Sequence, residues 1–272
     1  MSVNSYLTNL ANNAIVRDVE RVSIQRSIDT LRTRLTAHFL GELADQYVFG
    51  SYSRGTILPR SMDAQSDVDY MVVFKDSSLR PQAYLDRLRR FAEQRYTRSE
   101  IAQANPTIAL ELDHIRFELV PGIRDWFYGT RIPAKASSYQ DWFDTDPKGF
   151  NDRLSASNQA NGNFIKPLVR FIKYWNAKAG YPFESYDLEQ KVVAKNFSNF
   201  GLFRVRRLAD LFNEMVEEID AGLFAPQSKR EAVRRLKQLT SQANALERPG
   251  QAVAAEKVIM RLLPPVVGLL AK

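Results

Sequence analysis

The feature that most constrains this chain is an alternation. From Asp67 to Phe74 the residues read Asp-Val-Asp-Tyr-Met-Val-Val-Phe. A β-branched and aromatic run of this length predicts a buried strand. Successive side chains of a strand point to opposite faces. Val68, Tyr70, Val72 and Phe74 then share one face as core, and Asp67 and Asp69 share the other. Two strand rises separate the acidic Cα atoms, ~7 Å. Ile115 to Val120 repeats the pattern: Ile115, Phe117 and Leu119 make an apolar face, and Arg116 and Glu118 lie opposite. The chain therefore predicts two strands that deliver three carboxylates to the non-core side. Glu118 has a plainer alternative, a surface pairing with Arg116.

Upstream, the apolar run Tyr47-Val48-Phe49 enters Gly50-Ser51. A small-residue turn lets backbone amides approach phosphate oxygens. Neighbouring carboxylates converge on divalent ions about 3.5–4 Å apart in two-metal sites. Asp67 and Asp69 are the expected ligands of two ions. Glu118 is expected to complete the ligand set of the second ion and help activate an attacking hydroxyl. Gly50 and Ser51 are expected to take the β- and γ-phosphates through backbone amides and the Ser51 hydroxyl. The chain has no cysteine and only His38 and His114. Disulfides, thiolate-bound zinc and iron–sulfur clusters are excluded. The metal is expected to be held by oxygen, as magnesium, manganese or calcium is.

A long helix is predicted over 18–40, with Val22, Ile24, Ile28, Leu31, Leu35 and Phe39 near helical spacing. Residues 1–17 extend it or pack as an irregular arm. Gln46–Phe49 is a strand, Gly50-Ser51 opens a short helix, and Asp63 lies in a solvated loop. Pro81 starts a helix through residue 96. Thr107–Leu112 and Ile115–Val120 form a hairpin around Asp113-His114, and Pro121-Gly122 ends its second strand. Residues 129–162 read as loop, with Trp142 and Phe143 as anchors. Helices follow over 164–178, 185–197, 202–219 and 228–246. Arg54 and Thr56 read as turn structure, and the arginines of 228–246 as a solvated face. The expected division is residues 1–150, mixed α/β with a long N-terminal helix, then 151–272, helical. No window reaches the ~20 apolar residues of a membrane span, and no apolar leader is seen in the first 17 residues. A net charge of +7 suits an anionic ligand.

Gly50-Ser51, then Asp67-x-Asp69, then a later acidic strand residue resembles the DNA polymerase β-type nucleotidyltransferase superfamily. The longer run Phe49-Gly50-Ser51-Tyr52-Ser53-Arg54-Gly55-Thr56, with Ser66-Asp67-Val68-Asp69, is similar to the cyclic GMP-AMP synthase/DncV-like nucleotidyltransferases (CD-NTases) of bacterial anti-phage (CBASS) systems. Phe117-Glu118-Leu119-Val120-Pro121-Gly122 resembles that family's third acidic strand, where Asp is usual; Glu118 shifts the geometry by one methylene. Leu168-Val169-Arg170-Phe171-Ile172-Lys173-Tyr174-Trp175-Asn176 resembles the helix whose lysine contacts the triphosphate, which maps to Lys173. Phe183-Glu184-Ser185-Tyr186-Asp187-Leu188-Glu189 resembles the next motif, which places Ser185 on the phosphate tail and Tyr186 against a base.

The resemblance implies an α+β fold: a polymerase β-like palm with a mixed sheet, a C-terminal helical domain, and the active site in the cleft between them. It implies a cytoplasmic, Mg²⁺- or Mn²⁺-dependent enzyme with two ions. Such an enzyme joins nucleoside triphosphates, ATP foremost, into a cyclic or short linear oligonucleotide second messenger and releases pyrophosphate. An antiviral setting, an activating regulatory protein and a downstream effector belong to the same implication. The zinc-bound DNA-gripping insertion of the animal sensors is absent from a chain without cysteine. A second reading keeps the same residues but modifies RNA or protein, with the Arg-rich segments 203–208 and 229–237 as the RNA surface. A third is a non-catalytic nucleotide-binding protein, favoured by Glu118. Base, linkage and ring size are not encoded in these motifs.

Overall fold

The computed structural model describes residues 2–104, 106–125, 129–134, 141–197, 207–248 and 250–266. They form two compact units, one of residues 16–60 and 65–151, the other of residues 1–15, 61–64 and 152–272.

The first unit is built on a mixed sheet. In chain order it contains α2 (Asp18–His38), β1 (Leu43–Val48), α3 (Gly50–Arg54), β2 (Asp67–Phe74), α4 (Pro81–Arg95), β3 (Glu100–Gln103), β4 (Ile108–Glu111), β5 (Arg116–Asp125), β6 (Gly129–Pro133) and β7 (Trp142–Thr145). The strand order is β1-β2-β5-β4-β3, with β6 pairing β5 and β7. β2 and β5 run parallel at the centre; the other pairs are antiparallel. A parallel pair needs a crossover, and α4 with the β3–β4 hairpin lies in that connection.

The alternation of β2 divides as the sequence predicts. Val68, Tyr70, Val72 and Phe74 join Phe117 and Leu119 of β5 in the main core, against Ile24, Ile28, Leu31 and Leu35 of α2 and Tyr84, Leu88 and Phe91 of α4. Each such side chain contributes about 1.5–3 kcal/mol on full burial. On the other face, Met71, Val73 and Val120 form a smaller cluster with Tyr47, Phe49 and Ile132. Asp67 and Asp69 open this second face, half-buried, where the apolar cover has not yet begun.

Several expectations are corrected. Val22 is 59% exposed; the stripe of α2 starts at Ile24, two residues on and about 200° around the helix. Pro121-Gly122 does not end β5, which runs on to Asp125. Leu119 is the last residue paired to β4 and Ile123 the first paired to β6, so Pro121 falls where no antiparallel neighbour needs its missing N–H. Gly122 sits in a crowded spot: a Cβ there would lie 3.0 Å from Met71 Sδ and 3.3 Å from Thr130 Cγ2, so those side chains would have to give by a few tenths of an ångström. The stretch 129–162 holds β6, β7 and α5 (Pro147–Ala160) rather than loop. Trp142 packs edge-on to Tyr84, but Phe143 is exposed.

The second unit is helical: α1 (Val3–Asn13), most of α5, α6 (Ile165–Lys178), α7 (Ser185–Ala194), α8 (Leu208–Glu218), α9 (Gln227–Glu247) and α10 (Ala252–Ile259). The start of the chain is neither an extension of α2 nor an irregular arm. It is a helix of its own, capped by Ser2 and burying Tyr6, Leu7 and Leu10. It is tied down by Tyr6 Oη donating to Leu263 O and Val3 N donating to Glu247 Oε1 at 2.8 Å. α6 is buried almost all round from Leu168 to Asn176, as a central helix must be. It ends through Gly180 and Tyr181, at φ 79° and 57°. The helix expected over 202–219 begins at Leu208 among the described residues; 202–206 lie outside them. No helix of the described residues is long and apolar enough to cross a membrane.

Candidate active site

β1 delivers the chain to Phe49, whose N–H donates to Asp69 O at 3.0 Å. Gly50 then turns at φ +69° into the single-turn helix α3, which closes at Gly55, φ +71°. The carbonyl side of this turn is satisfied. Ser51 O accepts from Thr56 N at 2.9 Å and Ile57 N at 3.1 Å, and Ser53 Oγ donates to Gly50 O at 3.0 Å. The N–H groups of Gly50 and Ser51 donate to nothing among the described residues. Unpaired donors at a helix start are what an anion requires. Arg54 is buried and stacks on the Phe150 ring at 5.0 Å, and Thr56 is fully buried; both hold the turn, as the sequence predicts. Beside them, burial raises the pKa of the Tyr52 phenol, partly offset by Arg21.

The turn and the acidic strand touch directly. A Cβ on Gly50 would lie 1.8 Å from Asp69 Oδ2 and 2.6 Å from its Cγ. The carboxylate of Asp69 thus occupies the space a side chain at residue 50 would need. Asp69 is level with Glu118 across the parallel β2–β5 pair, and Asp67 is level with Arg116. All three carboxylates therefore start from one sheet face.

Their side chains do not all converge. Glu118 Oε1 accepts from Arg116 Nη2 at 2.9 Å and Oε2 from Thr107 Oγ1 at 3.2 Å. The pairing with Arg116 is realised, and Glu118 is half-buried rather than exposed. Among the described residues no three His, Cys, Asp or Glu side chains are gathered as a metal cage. Asp67 and Asp69 supply the hard oxygen donors that magnesium or manganese prefers. They fit such an ion, and Glu118, on the same face, is paired with Arg116 and Thr107. Thr107 is a participant the sequence did not flag, since a threonine at a strand edge carries no distinctive signal.

The helical unit holds the remaining candidates. Lys173 is only 8% exposed, in a stretch of α6 that is buried almost all round. Ser185 is the first residue of α7 and half-buried; Tyr186 follows at 48% exposure and is not core. Asp63 is the clearest correction: it is 7% exposed, not solvated, and accepts from Tyr181 Oη at 2.5 Å. Tyr181 sits at a left-handed φ that non-glycine residues adopt at a cost. Its only sequence signal is the Tyr181-Pro182 break, which says nothing of a partner 118 positions earlier. Tyr181→Phe is expected to cost about 1–3 kcal/mol by withdrawing a donor from a buried carboxylate. Urea denaturation measures it; a loss under about 0.5 kcal/mol means that water replaces the phenol.

Residues 1–158 match the family model described as the Second Messenger Oligonucleotide or Dinucleotide Synthetase domain. A probable cyclic nucleotide synthase of Bacillus cereus (strain VD146) is 26% identical over 243 residues, covering 73% of this chain and 72% of that one. The structure of Vibrio cholerae DncV, a cyclic AMP-GMP synthase in complex with the linear intermediate 5′ pppA(3′,5′)pG, superposes with a TM-score of 0.73. Identity there is 10%, over 98% of this chain and 96% of that chain. The E. coli MS115-1 CdnC:HORMA-deltaN complex gives 0.65 at 14% identity, over 98% and 97%. At these identities the two structures bear on the fold alone: an α+β nucleotidyltransferase with a mixed sheet and a helical part.

Proposed function

The chain belongs to the Second Messenger Oligonucleotide or Dinucleotide Synthetase family, nucleotidyltransferases of the CD-NTase kind that make cyclic oligonucleotides, and from that premise we propose how its own residues carry the reaction. The observation that supports the reading most is the contact of the Asp69 carboxylate with Gly50, which joins an anion-ready turn to a carboxylate pair. A divalent cation bound there supplies charge neutralisation and polarises the phosphoryl oxygens.

Asp67 and Asp69 hold that cation. The free N–H groups of Gly50 and Ser51, with the Ser51 hydroxyl, bind the β- and γ-phosphates. Lys173 and Ser185 neutralise and fix the phosphate tail, and Tyr186 stacks on the base. A ribose hydroxyl of a second nucleotide attacks the α-phosphorus in line. The new P–O bond forms as the bond to pyrophosphate breaks, and Glu118, oriented by Arg116 and Thr107, takes up the hydroxyl proton. Two ions, magnesium or manganese, and nucleoside triphosphates with ATP among them complete the reading. A regulatory protein is consistent with the HORMA partner in the CdnC structure. An effector that binds the product would place the enzyme in cytoplasmic antiviral defence.

Incubation with the four nucleoside triphosphates and Mg²⁺ or Mn²⁺, followed by phosphatase and mass spectrometry, tests the reading. A phosphatase-resistant oligonucleotide is expected, with an activating protein added if none forms alone. Nucleotides transferred only onto added RNA or protein would overturn it. Of the Arg-rich segments that alternative would use, residues 203–206 lie outside the described residues.

Tyr186→Ala is expected to raise KM for nucleotide by roughly 5- to 100-fold, since a base–aromatic stack is worth about 1–3 kcal/mol. Tyr186→Phe should stay near wild type. Steady-state kinetics separate this from a structural role: an unchanged KM with a falling kcat removes Tyr186 from the base.

A further inference from the structure

A second concave surface lies wholly within the helical unit. It is a cavity of about 720 Å³ lined by the end of α6 (Trp175, Lys178, Ala179), one side of α9 (including Arg234, Arg235 and Leu239) and the turn after α10 (Arg261, Leu262). The sequence gives the arginines of α9 only a solvated face. The structure instead brings four cations, Lys178, Arg234, Arg235 and Arg261, to one hollow from three separate parts of the chain. The single carboxylate on its wall, Glu231, accepts from Gln227 at 2.8 Å and is not paired to any of them. None of the three arginine side chains has an ion pair or hydrogen bond among the described residues. The Lys178 ammonium lies over the Tyr174 ring at 5.2 Å.

Like charges that converge on a concave, partly apolar wall repel one another and focus a positive potential. An exposed helix face relieves this with interleaved acids; this hollow does not. Its floor is Trp175, Leu239 and Leu262, all buried. The volume falls within the ~300–1,000 Å³ of small-ligand sites. A hollow of that size, rather than a long flat stripe, suits a compact anion better than a nucleic-acid backbone.

We propose that this cavity is a binding site for a small polyphosphorylated anion, held by Lys178, Arg234, Arg235 and Arg261 around an apolar floor. It shares no residue with Gly50, Ser51, Asp67, Asp69, Glu118, Lys173, Ser185 or Tyr186. It is a site additional to the substrate's and stands whether or not the proposed chemistry does.

Inorganic tripolyphosphate is the probe, titrated calorimetrically into the full chain in metal-free, low-salt buffer. Wild type is expected to bind it. Arg235→Glu/Arg261→Glu should weaken binding at this site at least tenfold, and Lys178→Gln/Arg234→Gln in the same direction by less. Lys173→Ala, outside the cavity, should leave that binding event in place. All four substituted cations are exposed, so the variants are expected to fold, with circular dichroism as the check. Absence of tripolyphosphate binding by wild type, or equal affinity in the arginine variant, overturns the proposal. So does a 12-mer oligonucleotide that binds through the same arginines at least tenfold more tightly, because the surface is then a nucleic-acid interface.

Discussion

Asp67→Asn/Asp69→Asn should abolish pyrophosphate release, by roughly a thousandfold or more, while leaving the fold intact. The size follows from what the pair is asked to do. Losing about 4 kcal/mol of transition-state stabilisation is a factor of roughly a thousand, and removing charge aimed at a reacting phosphate is a loss of that order. The intact fold follows from position. Both carboxylates lie half-buried at the open end of the second sheet face, ahead of the apolar Met71–Val73 cluster, and asparagine has nearly their shape. Stability is expected to change by about 1 kcal/mol or less, as for substitutions away from the core. The check combines a pyrophosphate-release assay with a thermal melt. Release within tenfold of wild type, in a variant that melts normally, would remove this sheet face from the chemistry. Tripolyphosphate binding to the basic cavity should persist in the same variant, so the two readings fail separately.

The parts of this molecule legible in the sequence are those governed by a short period. The β2 alternation is visible because a strand buried on one face must place Val68, Tyr70, Val72 and Phe74 together. The same parity put Glu118 on the face of Asp69, and the parallel register makes the two level. What periodicity cannot carry is a partner chosen by tertiary packing. Asp63 looks like loop until Tyr181 arrives from the helical unit's α6–α7 turn. Pro121 looks like a strand end until β6 takes over from β4 on the same edge. Arg116 and Glu118 share a strand face at i, i+2, so their pairing was visible as an alternative. That the pair would be half-buried was not, because Thr107 also had to reach Glu118 Oε2. The basic cavity was illegible for the same reason: Arg235 and Arg261 meet only through the packing of α9 and the turn after α10.

Two glycines in α3 and its cap allow backbone strain to be separated from site geometry. Gly50 and Gly55 have nearly the same left-handed φ, +69° and +71°, so alanine at either pays a similar conformational cost of about 1–2 kcal/mol. Their surroundings differ. Alanine at 55 would meet nothing within 4 Å, whereas alanine at 50 would meet Asp69 Oδ2 at 1.8 Å. No real Cβ tolerates that approach, so either the carboxylate or the turn must move by an ångström or more. A displacement of about 1 Å at a reacting centre can cost roughly a hundredfold. Gly50→Ala is therefore expected to lower kcat by about a hundredfold or more, with a stability loss of about 1–3 kcal/mol. Gly55→Ala should lose comparable stability at most and keep kcat within about threefold, because strain alone does not reach Asp69. Paired denaturation curves and initial rates decide the matter. Equal losses of kcat at the two positions would show that strain in the turn, and not its contact with Asp69, limits activity. A loss confined to position 50 would mean that the turn and the carboxylate work as one surface, since the two variants share their strain and differ only in what the added methyl meets.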